Sequence, residues 1–538
     1  MYWKQLVDPF HNIVLSALVA VLPILFVFWA LLVKKMKGYK ASLLATALAI
    51  PIAIFIYRMP AGLALLSTAH GMLYGIFPIC WIMITAVFLF NVTVKSGRFE
   101  IIKQFMASIT PDRRLQALLI AFSFGSFLEG TAGFGSPVAI TAAMLVGLGF
   151  DPLYAAGLCL IANTAPVAFG SIGIPVTVAS QVTGIPETAI SQMVGRTLPF
   201  LSMLLPFYLV VLMAGFRKAM EVLPAILVSG LSFAFFQWFT SNFLGPTLPD
   251  IIAGVCSIVS LLILLRYWKP KTIWRFPHEP AVVASNETPH STKTIIKAWA
   301  PFMVLTVFVI VWGLKPVKSF LDSISLLSFP IPGLHNAIML PEGDKLLPQV
   351  FKFNFLSAAG TAILFAAMVG VWLLGLSVKD GWKIFIQTLA QLKIPIITIA
   401  AVLGFAYILN NSGITGTLSK VLSNTGVLFP FFAPVLGWLG VFVTGSDTSS
   451  NALFCHTQKT TAVSIGVDPV ITVSANISGG VVGKMISPSS IAVAAAAGSM
   501  IGKESNLLRF TIKHSFIMLL FISMMTLAQA YWLKWIVP

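Results

Sequence analysis

Charge is what this chain has least of. Only 9% of its 538 residues are Asp, Glu, Lys or Arg, against 58% hydrophobic, and the mean hydropathy is +0.94. A soluble domain carries about a quarter of its residues charged, so a water-soluble enzyme is excluded: too few charges remain to coat a globule of this size. Acidic residues are the scarcer sign, 17 against 34 Lys plus Arg, for a formal net charge of +17. In a soluble chain that excess would raise nucleic acid as a partner. Here the basic residues stand in short clusters between apolar runs (Lys34, Lys35, Lys37 and Lys40; Arg113 and Arg114; Arg217 and Lys218; Lys269, Lys271 and Arg275), the pattern of the positive-inside bias. They report orientation in a lipid bilayer and imply no nucleic acid. The four cysteines, Cys80, Cys159, Cys256 and Cys455, are isolated in apolar runs, so neither a disulfide framework nor a zinc site is indicated, and no metal is expected. There is no G-x-S-x-G and no H-E-x-x-H. Gly479-Gly-Val-Val-Gly483-Lys484 falls one residue short of a phosphate-binding loop and has Met485 where Ser or Thr is needed, so nothing points to an enzyme or a bound cofactor.

What the chain has instead is apolar runs, each to be measured against the roughly 20 residues that span a bilayer. The first, Ile13 to Val33, is longer than the core of a signal peptide and ends in lysines, so it reads as a retained span. Others lie near 41–57, 71–94, 115–128, 137–149, 152–170, 197–215, 219–239 and 247–268, then 297–314, 354–376, 394–409, 427–443, 446–465, 470–499 and 511–533. Several are too short, or too rich in Gly and Pro, to be simple spans. The expected fold is an all-α polytopic membrane protein of about 12–14 membrane segments, some of them broken helices or re-entrant hairpins. Polar stretches interrupt at 269–296 and 315–353, and the first, a cytoplasmic linker, separates residues 1–268 from 297–538.

The two halves resemble one another. Ser96-Gly97 recurs as Ser412-Gly413, Gly125-x-Phe127-x-x-Gly130-Thr131 as Gly440-x-Phe442-x-x-Gly445-Ser446, and Asp151-Pro152 as Asp468-Pro469; Asn163, Gly170 and Pro175 recur as Asn476, Gly483 and Pro488, and Arg196 as Arg509. The offset runs only from 313 (Asn163 to Asn476) to 317 (Asp151 to Asp468). Ordered matches with so little drift indicate an internal repeat, with cores 71–215 and 394–533.

Charge then orients the repeats. Lys34 to Lys40 place their loop in the cytoplasm and the N-terminus outside; 41–57 runs outward and 71–94 returns to Lys95, Arg98, Lys103, Arg113 and Arg114. In the second half Lys293 and Lys297 are cytoplasmic, 297–314 runs out, 354–376 returns to a loop bearing Lys379, Lys383 and Lys393, and 394–409 runs out again. The segment after Ser96-Gly97 is thus expected inside and the segment after Ser412-Gly413 outside. Such inverted-topology repeats are the architecture of alternating-access transport, and they leave the C-terminus outside.

Chemistry concentrates where the repeats break. Leu128-Glu-Gly-Thr-Ala-Gly-Phe-Gly-Ser-Pro137 and Val443-Thr-Gly-Ser-Asp-Thr-Ser-Ser-Asn451 cannot be lipid-facing helix, because exposed backbone groups in hydrocarbon cost several kcal/mol each. Breaks of this kind create helix N-termini that attract carboxylates, and Gly130, Thr131, Gly445 and Ser446 are the candidate cradle; the rival reading is tight packing by small residues. A second broken pair holds Asn163 and Asn476, suited either to a hydroxyl-bearing ligand or to a structural bridge. Glu129, Asp447, His456, Lys459 and Lys484 fall at membrane depth, where an ionisable residue is a functional candidate by default, with a structural pair such as Lys484 with Glu129 or Asp447 as the alternative. Lys484 joins the substrate-binding candidates, Glu129 and Asp447 are the candidates for coupling to an ion, and Asn451 and Ser171 complete the set. His70 reads as interfacial.

At these residues the chain resembles the lactate permease family of bacterial transporters, most specifically at Gly125-Ser-Phe-Leu-Glu129-Gly-Thr-Ala-Gly-Phe-Gly-Ser-Pro137, Ala162-Asn-Thr-Ala-Pro-Val-Ala-Phe-Gly170 and Thr444-Gly-Ser-Asp-Thr-Ser-Ser-Asn451. The resemblance runs along essentially the whole chain. It implies uptake of L-lactate, with D-lactate and glycolate, by symport with a proton across a bacterial inner membrane. A small 2-hydroxy monocarboxylate is then the ligand and the proton the coupling ion. A sodium-coupled carboxylate carrier and a carboxylate-permeable anion channel are the alternatives. The sequence gives no oligomeric state.

Overall fold

The computed structural model describes residues 2–133, 135–276, 291–341 and 346–538. The remainder of the two polar stretches, 277–290 and 342–345, lies outside the described residues. Among the described residues sheet is limited to two small pairings and one isolated bridge: Trp3–Lys4 runs parallel to Ile338–Met339, Leu326–Pro330 runs antiparallel to Val350–Asn354, and Met339 bridges Leu346. Everything else that is regular is helical, since only internal hydrogen bonding satisfies a backbone in hydrocarbon. Eleven helices among the described residues are long and apolar enough to cross a membrane, and the bent pair Pro152–Ala162 and Val167–Thr183 makes twelve. Two shorter apolar helices, Pro137–Gly147 and Ala359–Leu373, complete the count. Large apolar side chains such as Phe55, Leu65, Phe235 and Trp372 face outward, where lipid replaces water as the contacting medium.

One segment differs from the expected boundaries. Lys379, Lys383 and Lys393 are not in a loop: they ride on one helix, Val378–Ser412, because nothing but Pro395 interrupts it. The run 470–499 is two helices, Pro469–Lys484 and Pro488–Ala497, parted at the second expected break, where Ser487 caps the second helix and Pro488 opens it. His70, read as interfacial, is buried within the protein, its Nδ1 2.8 Å from Gln349 Oε1 and its ring against Tyr74 and Tyr407.

The repeated motifs give repeated structure. Gly125–Thr131 ends at a turn containing Gly133 and Gly135, both at positive φ, before Ser136–Gly147; Phe429–Thr444 ends at Gly445, φ +73°, before Asp447–Ser464. Asp151 and Asp468 each cap the next helix with a proline in its first turn, a cap that satisfies otherwise orphaned N–H groups. Each following helix then breaks: at Ser171, Ile172 and Gly173, all at positive φ, and at Met485–Ser487. The packing is reciprocal. Ser136–Gly147 lies on Pro488–Ala497, and their counterparts Asp447–Ser464 and Gly170–Thr183 lie on each other.

Three basic clusters meet on one face. The Arg114 guanidinium is fully buried, 2.7 Å from Asp112 Oδ2 and 2.8 Å from Glu221 Oε2, and donates to the Thr272 carbonyl; Lys218 Nζ also reaches Glu221, at 2.8 Å. The segments 112–114, 218–221 and 272–274 are therefore on the same side of the molecule, held together by ion pairs and hydrogen bonds.

Candidate functional site

The four breaks converge on a cavity of about 130 Å³, well below the roughly 300–1,000 Å³ of sites for drug-sized ligands. Its walls are helix ends. Gly135 precedes Ser136–Gly147; Ser446 caps Asp447–Ser464, its Oγ accepting from the Ser449 N–H at 3.3 Å; Ser489 and Ser490 belong to the first turn of Pro488–Ala497; and Ser171 lies in the strained turn from which the regular part of Gly170–Thr183 continues. Four helix N-termini thus open towards one small space, each with first-turn N–H groups unpaired within its helix and a partial positive charge. Such an arrangement selects an anion.

One full charge of each sign is paired across it. Lys484, at the end of Pro469–Lys484, places Nζ 2.7 Å from Glu129 Oε1 on Gly125–Thr131, with side-chain exposures of 12% and 4%. A Cβ at Gly170 would stand 2.7 Å from the same Glu129 oxygen, so the absence of a side chain there is what lets the carboxylate lie against the second break. Glu129 Oε2 has no hydrogen-bond partner among the described residues.

Asp447 forms the opposite wall. Its Oδ2 accepts from Asn451 Nδ2 at 3.3 Å, one helical turn on, while Oδ1 is unpartnered among the described residues. A Cβ at Gly480 would collide with that oxygen. Behind it runs a chain of amides: Asn476 Nδ2 donates to Asn451 Oδ1 at 3.0 Å, and Gln458 Nε2 donates to Asn476 Oδ1 at 3.2 Å and to the Ala433 carbonyl at 2.8 Å. Asn451 also donates to the Pro175 carbonyl, 3.2 Å away in the other half.

Glu129, Ser171, Gly445, Ser446, Asp447 and Lys484 line the cavity. Asn451 and Asn476 lie behind Asp447 and bridge helices. Gly130 and Thr131 are not in the lining: Gly130 packs on Asp250 and Ile251 of the next helix pair, and Thr131 Oγ1 turns back to the Phe127 carbonyl at 3.0 Å. Asn163 is buried at the end of Pro152–Ala162 and also outside the lining. His456 Nδ1 is 3.0 Å from the Val182 carbonyl and Lys459 Nζ 2.6 Å from that of Thr183, where both hold the carboxyl end of Gly170–Thr183, the favourable end for donors and cations.

Sequence reasoning passed over Ser489 and Ser490, although they follow Pro488 in a break already recognised, and Thr448, one residue from Asp447 in the quoted motif. It also passed over Asp250. The signal was an acidic residue near the start of the apolar run 247–268, beside Pro249.

Comparison with known proteins decides the family. The family model described as L-lactate permease matches residues 16–533. This chain belongs to the L-lactate permease family. The L-lactate permease of Bacillus subtilis (strain 168) is 53% identical across 100% of both chains, and the glycolate permease GlcA of Escherichia coli (strain K12) is 51% identical over 98% of each. In fold it is similar to the Alcanivorax borkumensis YdaH transporter, with a TM-score of 0.50 at 13% identity, covering 94% of this chain and 100% of that one. The molecule is a multi-pass membrane permease and not an enzyme.

Proposed function

We propose that this permease takes up L-lactate, with D-lactate and glycolate as further substrates, by proton symport across a bacterial inner membrane. The observation that carries the reading is the convergence of four helix N-termini and Lys484 on a cavity that also holds Glu129 and Asp447. The relatives' names, L-lactate permease and glycolate permease, agree with a small 2-hydroxy acid.

Charge balance gives the coupling. The substrate carboxylate takes the helix ends and the Lys484 ammonium, while Ser446, Thr448, Ser489 and Ser490 offer partners to the 2-hydroxyl. Glu129 then loses its counter-charge, and breaking a buried pair in this way costs about 3–5 kcal/mol. A proton on Glu129 removes that cost. One proton therefore accompanies one carboxylate, and release of both restores the Glu129–Lys484 pair. Asp447 acts as the partner group on the opposite wall.

Alternating access follows from rocking of inverted repeats about this site, with the N-terminus outside, the 269–296 linker in the cytoplasm and the C-terminus outside. The test is radiolabelled L-lactate uptake into proteoliposomes with pH and sodium gradients imposed separately. Accumulation under the pH gradient alone is expected; accumulation only under the sodium gradient, or mere equilibration, contradicts the reading.

A further inference from the structure

Behind the Glu129–Lys484 pair lies a second carboxyl that the cavity does not touch. Asp250 sits in the first turn of Pro249–Tyr267, is 1% exposed, and has neither carboxyl oxygen hydrogen-bonded among the described residues. It is pressed against the residue after Glu129: a Cβ at Gly130 would stand 2.7 Å from Asp250 Cβ. The charged groups within its electrostatic reach are Glu129 and Lys484. The other helices packed on Pro249–Tyr267, Leu223–Phe243 and Ala117–Phe124, contain no Asp, Glu, His, Lys or Arg, and on its own helix Arg266 is at the far end. Among the described residues an ionised Asp250 would have no hydrogen bond, and the cation that bears on it, Lys484, is already taken by Glu129. Such a charge is too costly to bury, so Asp250 is the neutral acid in this conformation.

Three unpartnered carboxyl oxygens, Glu129 Oε2 and both of Asp250, thus stand on two adjoining helices, and buried polar groups left without partners call for an explanation. Arg266 and the basic face are roughly 24 Å away along the helix at 1.5 Å per residue, while the 244–248 turn at the near end of the helix carries Leu244, 37% exposed.

We propose that Asp250 is the proton donor to Glu129, passing protons from the aqueous side of the 244–248 turn by a route separate from the substrate cavity. The proposal rests on proton coupling at Glu129. When a substrate carboxylate takes Lys484, the O–H bond on Asp250 breaks as one forms at Glu129 Oε2. The negative charge moves to Asp250, where the amino end of its helix supports it, and a proton from water refills it. The hand-off requires the two carboxyls to come within hydrogen-bond reach or to be bridged by one water.

Asp250→Asn tests this, because a carboxamide preserves the size and polarity of a carboxyl that never gives up its proton. In proteoliposomes the variant should keep lactate/lactate exchange within about twofold of wild type while its accumulation under an imposed pH gradient falls more than about tenfold, the lower range for loss of an acid–base group being about a hundredfold. Thermal melting in detergent reports folding. If wild type itself fails to accumulate lactate under the pH gradient, the proton-symport reading falls. If wild type accumulates and Asp250→Asn does the same, Asp250 is only a neutral packing group and the inference is overturned. Equal loss of exchange and accumulation with unchanged melting also overturns it, since Asp250 would then serve the substrate step.

Discussion

Lys484 Nζ lies 2.7 Å from Glu129 Oε1, and the two residues come from opposite halves of the chain. The pair therefore ties the two halves of the chain together at the cavity, and any ligand that competes for the lysine loosens that contact. Lys484→Met should weaken lactate binding about tenfold to a hundredfold, the equivalent of the roughly 1.5–3 kcal/mol lost with a charge-assisted hydrogen bond. Substrate-dependent thermal shift or calorimetry reads it. Because the single change also strands Glu129, the double variant with Glu129→Gln should recover melting temperature without recovering affinity. Unchanged affinity in the folded double variant would assign Lys484 to structure alone.

Gly170→Ala inserts a methyl group 2.7 Å from Glu129 Oε1 and should displace the carboxylate from Lys484. Transport should fall at least about tenfold, a loss near the 1.4 kcal/mol that a tenfold change represents. Gly147→Ala, with no heavy atom within 4 Å of the added carbon, is the control and should transport normally. Equal behaviour of the two would remove Gly170 from the account of the site.

Much of this architecture was written in the sequence because its causes are local. Gly133, Gly135, Gly445 and Pro488 break helices through their own backbone preferences, and Asp151-Pro152 and Asp468-Pro469 start them, so the breaks are visible without tertiary knowledge. Lys484 and Asp447 were legible because a charge at membrane depth needs a reason. What the sequence hid depends on packing. Gly130 and Glu129 are adjacent in the chain, yet one faces a neighbouring helix and the other the cavity. His456 and Lys459 share a helix with Asp447 but meet the end of Gly170–Thr183, a contact 274 and 276 residues away in sequence. Asp250 gained its meaning only when its helix came to rest on Gly130.

The orientation of the repeats is open to direct measurement. Ser108 and Asn424 are both exposed and follow equivalent Ser-Gly motifs. Single cysteines at these positions, in a background lacking Cys80, Cys159, Cys256 and Cys455, should be labelled from opposite sides: Asn424 in intact cells, Ser108 only after permeabilisation. Labelling of both from one side would contradict the inverted arrangement.

The ion-pair face predicts a pH response. Lys218, with Arg114 and Thr272, holds the Glu221 carboxyl down at about 2 from the ordinary 4.5. A carboxyl depressed on folding stabilises the fold above its unfolded value and loses that contribution as pH falls through the folded one. Wild type should therefore melt above Glu221→Gln at neutral pH, and the gap should close as pH falls from about 4.5 towards about 2. A gap that stays constant through that window would show that the Glu221 charge does not support the loops.

The central claim is that Glu129 carries the proton that travels with the substrate, and Glu129→Gln addresses it most directly. The carboxamide imitates the protonated acid, so the variant in proteoliposomes should retain lactate counterflow while losing accumulation driven by an imposed pH gradient, together with the pH dependence of uptake. If the variant still concentrates lactate under that gradient with the pH response of wild type, Glu129 is not the carrier.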